Sequence, residues 1–128
     1  MVPYAWSVEL PLAHDAAIEK VTAALATQGF GILTRIDVDA TMQKKLGVTF
    51  RPYAILGACN PTLAHQALQA EASVGILLPC NVVVEQHGEG SRVWVTDPAA
   101  LFAVANRPDL AHLAEEVGRR LRLVVEQL

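Results

Sequence analysis

Charge is scarce in this chain. Of its 128 residues 18% are charged, against about a quarter in ordinary soluble domains, while 52% are hydrophobic. A small domain has a large surface to cover, so a shortage of charge points to apolar surface covered by self-association, and a homodimer is expected. The net charge of −3 gives no electrostatic footprint for nucleic acid. Signal-peptide features are missing from the opening MVPYAWSVELPL, which has no basic n-region and no apolar h-region. Every uninterrupted apolar run falls far short of the roughly 20 residues a membrane span needs. The chain therefore reads as a soluble cytoplasmic protein without a membrane partner. There, its only two cysteines, Cys59 and Cys80, are by default free thiols.

Catalytic and cofactor signatures are equally sparse. There is no Cys-x-x-Cys and no His-x-x-x-His, and His14, His65, His87 and His112 are scattered, so neither a metal nor a cofactor is expected. No G-x-G-x-x-G, P-loop or G-x-S-x-G is present. Gly29-Phe-Gly31 is a helix exit into a strand, the wrong order for phosphate binding. Ser7, Ser73 and Ser91 assemble no convincing Ser-His-Asp set.

What is present is periodicity. By size the chain is one domain, residues 1–128, long enough to bury a core without staples. Tyr4–Leu10 alternates as a strand. Ala13–Gln28 has helical period, with Ala17, Val21, Ala24 and Leu25 in one arc and Gly29 as the residue past its end; His14 reads as a solvated first-turn residue. Phe30–Val38 is a strand. A compact helical unit follows, capped by Asp39 and ended by Gly47, with Lys44 and Lys45 at the negative end of its dipole. Asp37 and Asp39 have no third ligand nearby in sequence and read as turn and capping residues.

After a loop at Val48–Pro52, Tyr53–Ala58 is a short apolar strand running into Cys59. Asn60-Pro61 then starts a helix, Asn at the N-cap and Pro at the first helical position, which runs to about Glu71 and buries Leu63 or Ala64, Ala67 and Leu68. Val74–Leu78 is apolar, Pro79 interrupts, and Cys80–Gln86 resumes as a strand, an arrangement that predicts an edge position or a bulge between two strand halves. His87-Gly-Glu-Gly is a hairpin turn with Arg92–Thr96 as the return strand. Asp97-Pro98 opens a short helix through about Ala105. The last helix, Asp109–Gln127, gathers Leu110, Leu113, Ala114, Val117, Leu121 and Val124 on one face. Glu115→Arg119 and Glu116→Arg120 are i,i+4 pairs, which makes Arg119, Arg120 and Arg122 a self-neutralised solvated face. The order of elements predicts an α+β domain with a largely antiparallel sheet covered by helices.

Two segments carry chemistry. Cys59 stands just before a helix N-terminus, where dipole and free N–H groups favour a thiolate. Cys80 follows a proline, and the two Cys-Asn segments face each other if their strands are neighbours. His65, on the helix that follows Cys59, is the histidine best placed to lie near a thiol, but it reads first as a residue of an exposed helix face. The opposing reading of both cysteines is two small buried hydrophobes.

GFGILTRIDVDATMQKKLG, YAILGACNP and GILLPCNVVV together resemble the uncharacterised prokaryotic family known as domain of unknown function 302, over nearly the whole chain. Cys59, Asn60 and Pro61 match its first cysteine motif, and Leu78, Pro79, Cys80 and Asn81 its second. The resemblance implies a curved antiparallel sheet with helices on one face, similar to the TATA-box-binding-protein repeat, in a homodimer. It supplies no catalytic residue and, because fold is not function, no DNA binding. The reading favoured is a small dimeric non-catalytic module that binds a small molecule or a protein, with Asn60, Asn81 and His65 as candidate contacts. The alternative is a thiol-based redox or sulfur-handling enzyme or carrier using Cys59, with Cys80 as resolving thiol.

Overall fold

Hydrophobic alternation in the strands and helical periodicity between them generate two layers. In the computed structural model, which describes residues 2–128, the elements are β1 (Ala5–Leu10), α1 (His14–Thr27), β2 (Gly31–Asp37), α2 (Val38–Leu46), β3 (Tyr53–Cys59), α3 (Pro61–Ala70), β4 (Cys80–His87), β5 (Gly90–Thr96), α4 (Pro98–Phe102) and α5 (Pro108–Gln127). All five strands pair antiparallel in one sheet, in the order β1-β5-β4-β3-β2. Helices cover one side. The α+β architecture expected from the order of elements is thus the one observed.

Register decides which side chains are inward. Ala54, Leu56 and Ala58 of β3 stand opposite Val84, Val82 and Cys80 of β4, and Val82 and Val84 stand opposite Val95 and Val93 of β5. These residues are all buried and pack against Val21, Leu25, Leu121 and Val124 of α1 and α5. A second, smaller core forms where Ala67 of α3, Val74, Phe102 of α4 and the first half of α5 meet. With a strand period of two, the opposite rows of β3, β4 and β5 point to the outer face of the sheet.

Local signals hold the connections. Asn60 Oδ1 accepts the Leu63 N–H at 3.2 Å and Pro61 occupies the first helical position; Asp97 caps α4 in the same manner through the Ala99 N–H. The β4–β5 hairpin turns on Gly88, whose φ of 59° suits a glycine, and pairs His87 with Gly90.

Several sequence expectations are corrected. Residues 74–78 form no strand: Ala72–Leu77 is a 3₁₀ segment with Val74 buried and Ile76 exposed, because a short apolar run carries no period that separates strand from helix. Pro79 does not split a strand or mark an edge. It precedes β4, which starts at Cys80 and lies between β3 and β5; a residue without an N–H sits comfortably just before a ladder begins. The irregularity is instead in β2, between Ile32 and Thr34. Leu68 is exposed, leaving Leu63 and Ala67 as the buried residues of α3.

Some polar assignments shift too. Asp37, not Asp39, is the N-cap of α2, and Asp39 Oδ1 accepts the Tyr53 N–H at 3.4 Å. His14 is not simply solvated, since its Nε2 lies 2.8 Å from the Val84 carbonyl and tethers α1 to the sheet. Glu116 pairs with both Arg119 and Arg120, so Arg119 is held by Glu116 and not by Glu115. Arg122 stacks over the Trp6 ring.

Candidate functional site

The two thiols meet at one cavity. Because Ala58 pairs with Cys80 across β3 and β4, Cys59 and Cys80 come together, both unbonded, against Phe30, Leu63 and Pro79. The cavity has a volume of about 30 Å³, room for about one or two water molecules, but its apolar walls offer them few partners. Burial pushes the Cys80 thiol up to about 11, with neighbouring Cys59 adding to the effect. Burial also pushes the half-buried Cys59 thiol up. The thiolate expected from a position before a helix start is therefore opposed by desolvation, and the N–H of Leu63 is already taken by Asn60. Two protonated thiols in a small apolar cavity make a poor nucleophile pair.

The remaining sequence candidates separate. Asn60 is buried and its side-chain oxygen is spent on the helix cap. His65 is exposed and lies outside the thiol cavity. Asn81 points the other way, to the outer face, where it lines a groove of about 460 Å³.

That groove holds a buried carboxylate to which no sequence motif points. β4 places Asn81, Val83 and Glu85 on the outer face, and β5 sets Trp94 beside Val83 and Arg92 beside Glu85. Glu85 is 7% exposed on a face with no helix to bury it. Neighbouring side chains enclose it. Arg51 Nε and Nη2 donate to its Oε1 at 2.9 and 2.7 Å, and Trp94 Nε1 donates to Oε2 at 2.5 Å. Burial raises the Glu85 carboxyl, but the hydrogen bonds from Trp94 and Arg51 and the charges of Arg51 and Arg92 outweigh it and hold the group below its ordinary value. Glu85 is therefore an ionised anchor at neutral pH.

Arg51 is held in place by its neighbours. The Gln86 N–H donates to the Pro52 carbonyl at 2.9 Å, continuing the β3–β4 ladder one step past Tyr53 and Glu85. Its guanidinium carbon lies 4.7 Å from the Phe50 ring centroid and 5.6 Å from that of Tyr53, so both aromatic faces hold it. Burial and the Glu85 charge raise the Tyr53 hydroxyl, which keeps its proton. Pro79 lines both the groove and the thiol cavity.

Gly57 lies close to Pro79. A Cβ there would approach Pro79 Cγ to 2.8 Å and crowd Thr34 Oγ1 as well. A hairpin turn of two residues sets Glu85 opposite Arg92 and Val83 opposite Trp94, so half of the site carried a signal in the sequence. Arg51 carried none, arriving from the loop before β3. No cluster of three or more metal-ligating side chains occurs among the described residues, and no described helix is long and apolar enough to cross a membrane.

Comparison with known proteins agrees on family and is silent on activity. The profile described as Domain of unknown function DUF302 matches residues 6–128. An uncharacterized conserved DUF302 protein from Bacillus stearothermophilus, solved by crystallography, superposes with a TM-score of 0.90 at 29% identity, over 98% of each chain. No curated protein matches.

Proposed function

Starting from the fact that the chain belongs to the DUF302 family, we propose that it is a non-catalytic binding module whose ligand site is the outer-face groove beside Glu85. The observation that supports this most is a carboxylate 7% exposed on the uncovered side of a sheet, satisfied by three hydrogen bonds and holding an arginine at the mouth of a groove of about 460 Å³. That volume lies within the range of small-molecule sites, and a few fixed polar groups among apolar walls are what such sites use. Asn81 belongs to it; Asn60 and His65 do not. The thiol reading is weaker, because both thiols are raised and their cavity admits no substrate-sized molecule.

The partner on this reading is a second copy. Leu33, Ile36, Leu46 and Val48 are large apolar side chains left exposed along the edge strand β2 and the segment after it, and α2 buries none of its residues. An uncovered edge beside apolar side chains suits antiparallel pairing about a two-fold axis. Two unbonded neighbouring thiols suit a reducing cytoplasm. Sedimentation velocity tests the dimer: a dimer that Leu33→Glu with Leu46→Glu converts to monomer supports it, and a monomer at all attainable concentrations opposes it.

The ligand site is tested by a small-fragment screen using ligand-observed NMR, comparing wild type with Asn81→Trp, which fills the groove from an exposed position. Fragments that lose binding to Asn81→Trp but keep it with Cys59→Ser support the reading. Fragments that behave in the opposite way overturn it.

A further inference from the structure

The groove's accessible charge is not its total charge. Its lining holds one arginine and one glutamate, formally neutral, yet the Glu85 side chain is 10% exposed and the Arg51 side chain 47%. A ligand therefore meets the cation and not the anion. Arg51 uses Nε and one proton of Nη2 on Glu85, and its Nη1 has no hydrogen-bond partner among the described residues. The planar fork thus has one edge committed and its outer edge open, in an orientation fixed by Glu85, Phe50 and Tyr53. An open guanidinium edge matches a carboxylate with two parallel N–H···O bonds. Next to it the walls are aromatic, Tyr4, Tyr53 and Trp94, with the Asn81 amide within the same groove.

We propose that the groove binds a small planar aromatic carboxylate, its carboxylate on the outer edge of Arg51 and its ring among Tyr4, Tyr53 and Trp94. This deepens the binding-module reading and rests on it. Glu85 is a positioning residue that acts through Arg51 and makes no contact of its own with the ligand. Charge sets the head group and ring stacking sets the body, so an acid without a flat ring and a flat ring without an acid each satisfy half of the site.

The test is a titration followed by ¹H–¹⁵N NMR at the Trp94 indole N–H and the Val83 amide, with benzoate, benzamide and cyclohexanecarboxylate as probes. Benzoate is expected to give saturable shifts with a Kd at least tenfold below those of the other two. Arg51→Lys keeps a positive charge near Glu85 but has no fork, and should weaken benzoate about tenfold while leaving benzamide unchanged. Tyr4→Ala, which removes an exposed ring (56%), should weaken both aromatic probes alike and serves as the second variant where Arg51→Lys unfolds. Equal affinities for benzoate and benzamide at the groove would overturn the acid preference and leave the binding-module reading standing. Equal affinities for benzoate and cyclohexanecarboxylate would overturn the aromatic preference. Shifts confined to other regions, or none from any probe, would overturn the proposal and count against the groove itself.

Discussion

Replacing Glu85 by glutamine keeps its shape and removes its charge, and the contacts it loses set the expected size of the effect. The carboxylate accepts three hydrogen bonds, two from Arg51 and one from Trp94. A glutamine offers one acceptor oxygen, so its NH₂ must face either the indole N–H or the guanidinium. One donor set is lost and an N–H is set against an N–H. Breaking a fully buried ion pair costs about 3–5 kcal/mol; here Arg51 is half exposed and can turn to water, so a loss of about 2 kcal/mol is expected. With an m-value of about 2 kcal/mol/M for urea, the unfolding midpoint falls by about 1 M.

The loss has a pH signature. Glu85 is held below its ordinary 4.5 in the folded chain, so its stabilisation is present above the unfolded value and disappears as pH falls through the folded one. The gap between wild type and Glu85→Gln should be constant from neutral pH down to about 5 and narrow below about 4.5. Urea unfolding curves at a series of pH values measure it. A gap below about 0.5 kcal/mol at neutral pH, the size of a change at an ordinary surface position, or one that persists undiminished in acid, would refute the account of Glu85 as an ionised anchor.

Other perturbations have equally direct outcomes. Asn60→Ala removes the cap on the Leu63 N–H and should cost about 1–2 kcal/mol by urea unfolding, with Asn60→Asp retaining most of the stability. Gly57→Ala crowds Pro79 and Thr34 and should cost about 1–3 kcal/mol; adding Thr34→Ala should recover part of it, and a neutral Gly57→Ala would show that the space is not needed. With a thiol-disulfide reagent at neutral pH, Cys59 should react faster than Cys80, because a thiol at about 11 is ionised in only about one molecule in ten thousand. Mass spectrometry of the modified peptides decides this, and equal rates in the folded protein would contradict the burial assigned to Cys80.

Much of the scaffold was legible because local signals agreed with tertiary demands. Asn60-Pro61 and Asp97-Pro98 cap the helices they announce, and α5 buries Leu110, Ala114, Leu121 and Val124 along the face its period marks out. Legibility failed where a signal was short or nonlocal. Val74–Leu78 is too brief for its period to show, and the neighbours of Pro79 decide that it opens a central strand. The two cysteines drew attention by residue type, yet desolvation governs their chemistry, and burial is a tertiary property. Glu85 looked like any polar residue on an alternating strand. What sets it apart is Arg51, which lies 34 positions away and is placed by the Pro52–Gln86 hydrogen bond, a contact that no local pattern encodes.

On the proposed function, ligands enter on the outer face beside Glu85 and not at the thiols. The measurement that addresses it most directly is a backbone and indole ¹H–¹⁵N shift map recorded with a bound fragment. Saturable shifts should cluster at Asn81, Val83, the Trp94 indole and the segment around Arg51, with Cys59, Leu63 and Ala67 unmoved. A map centred on Cys59 and the start of α3, with Trp94 silent, would contradict the account.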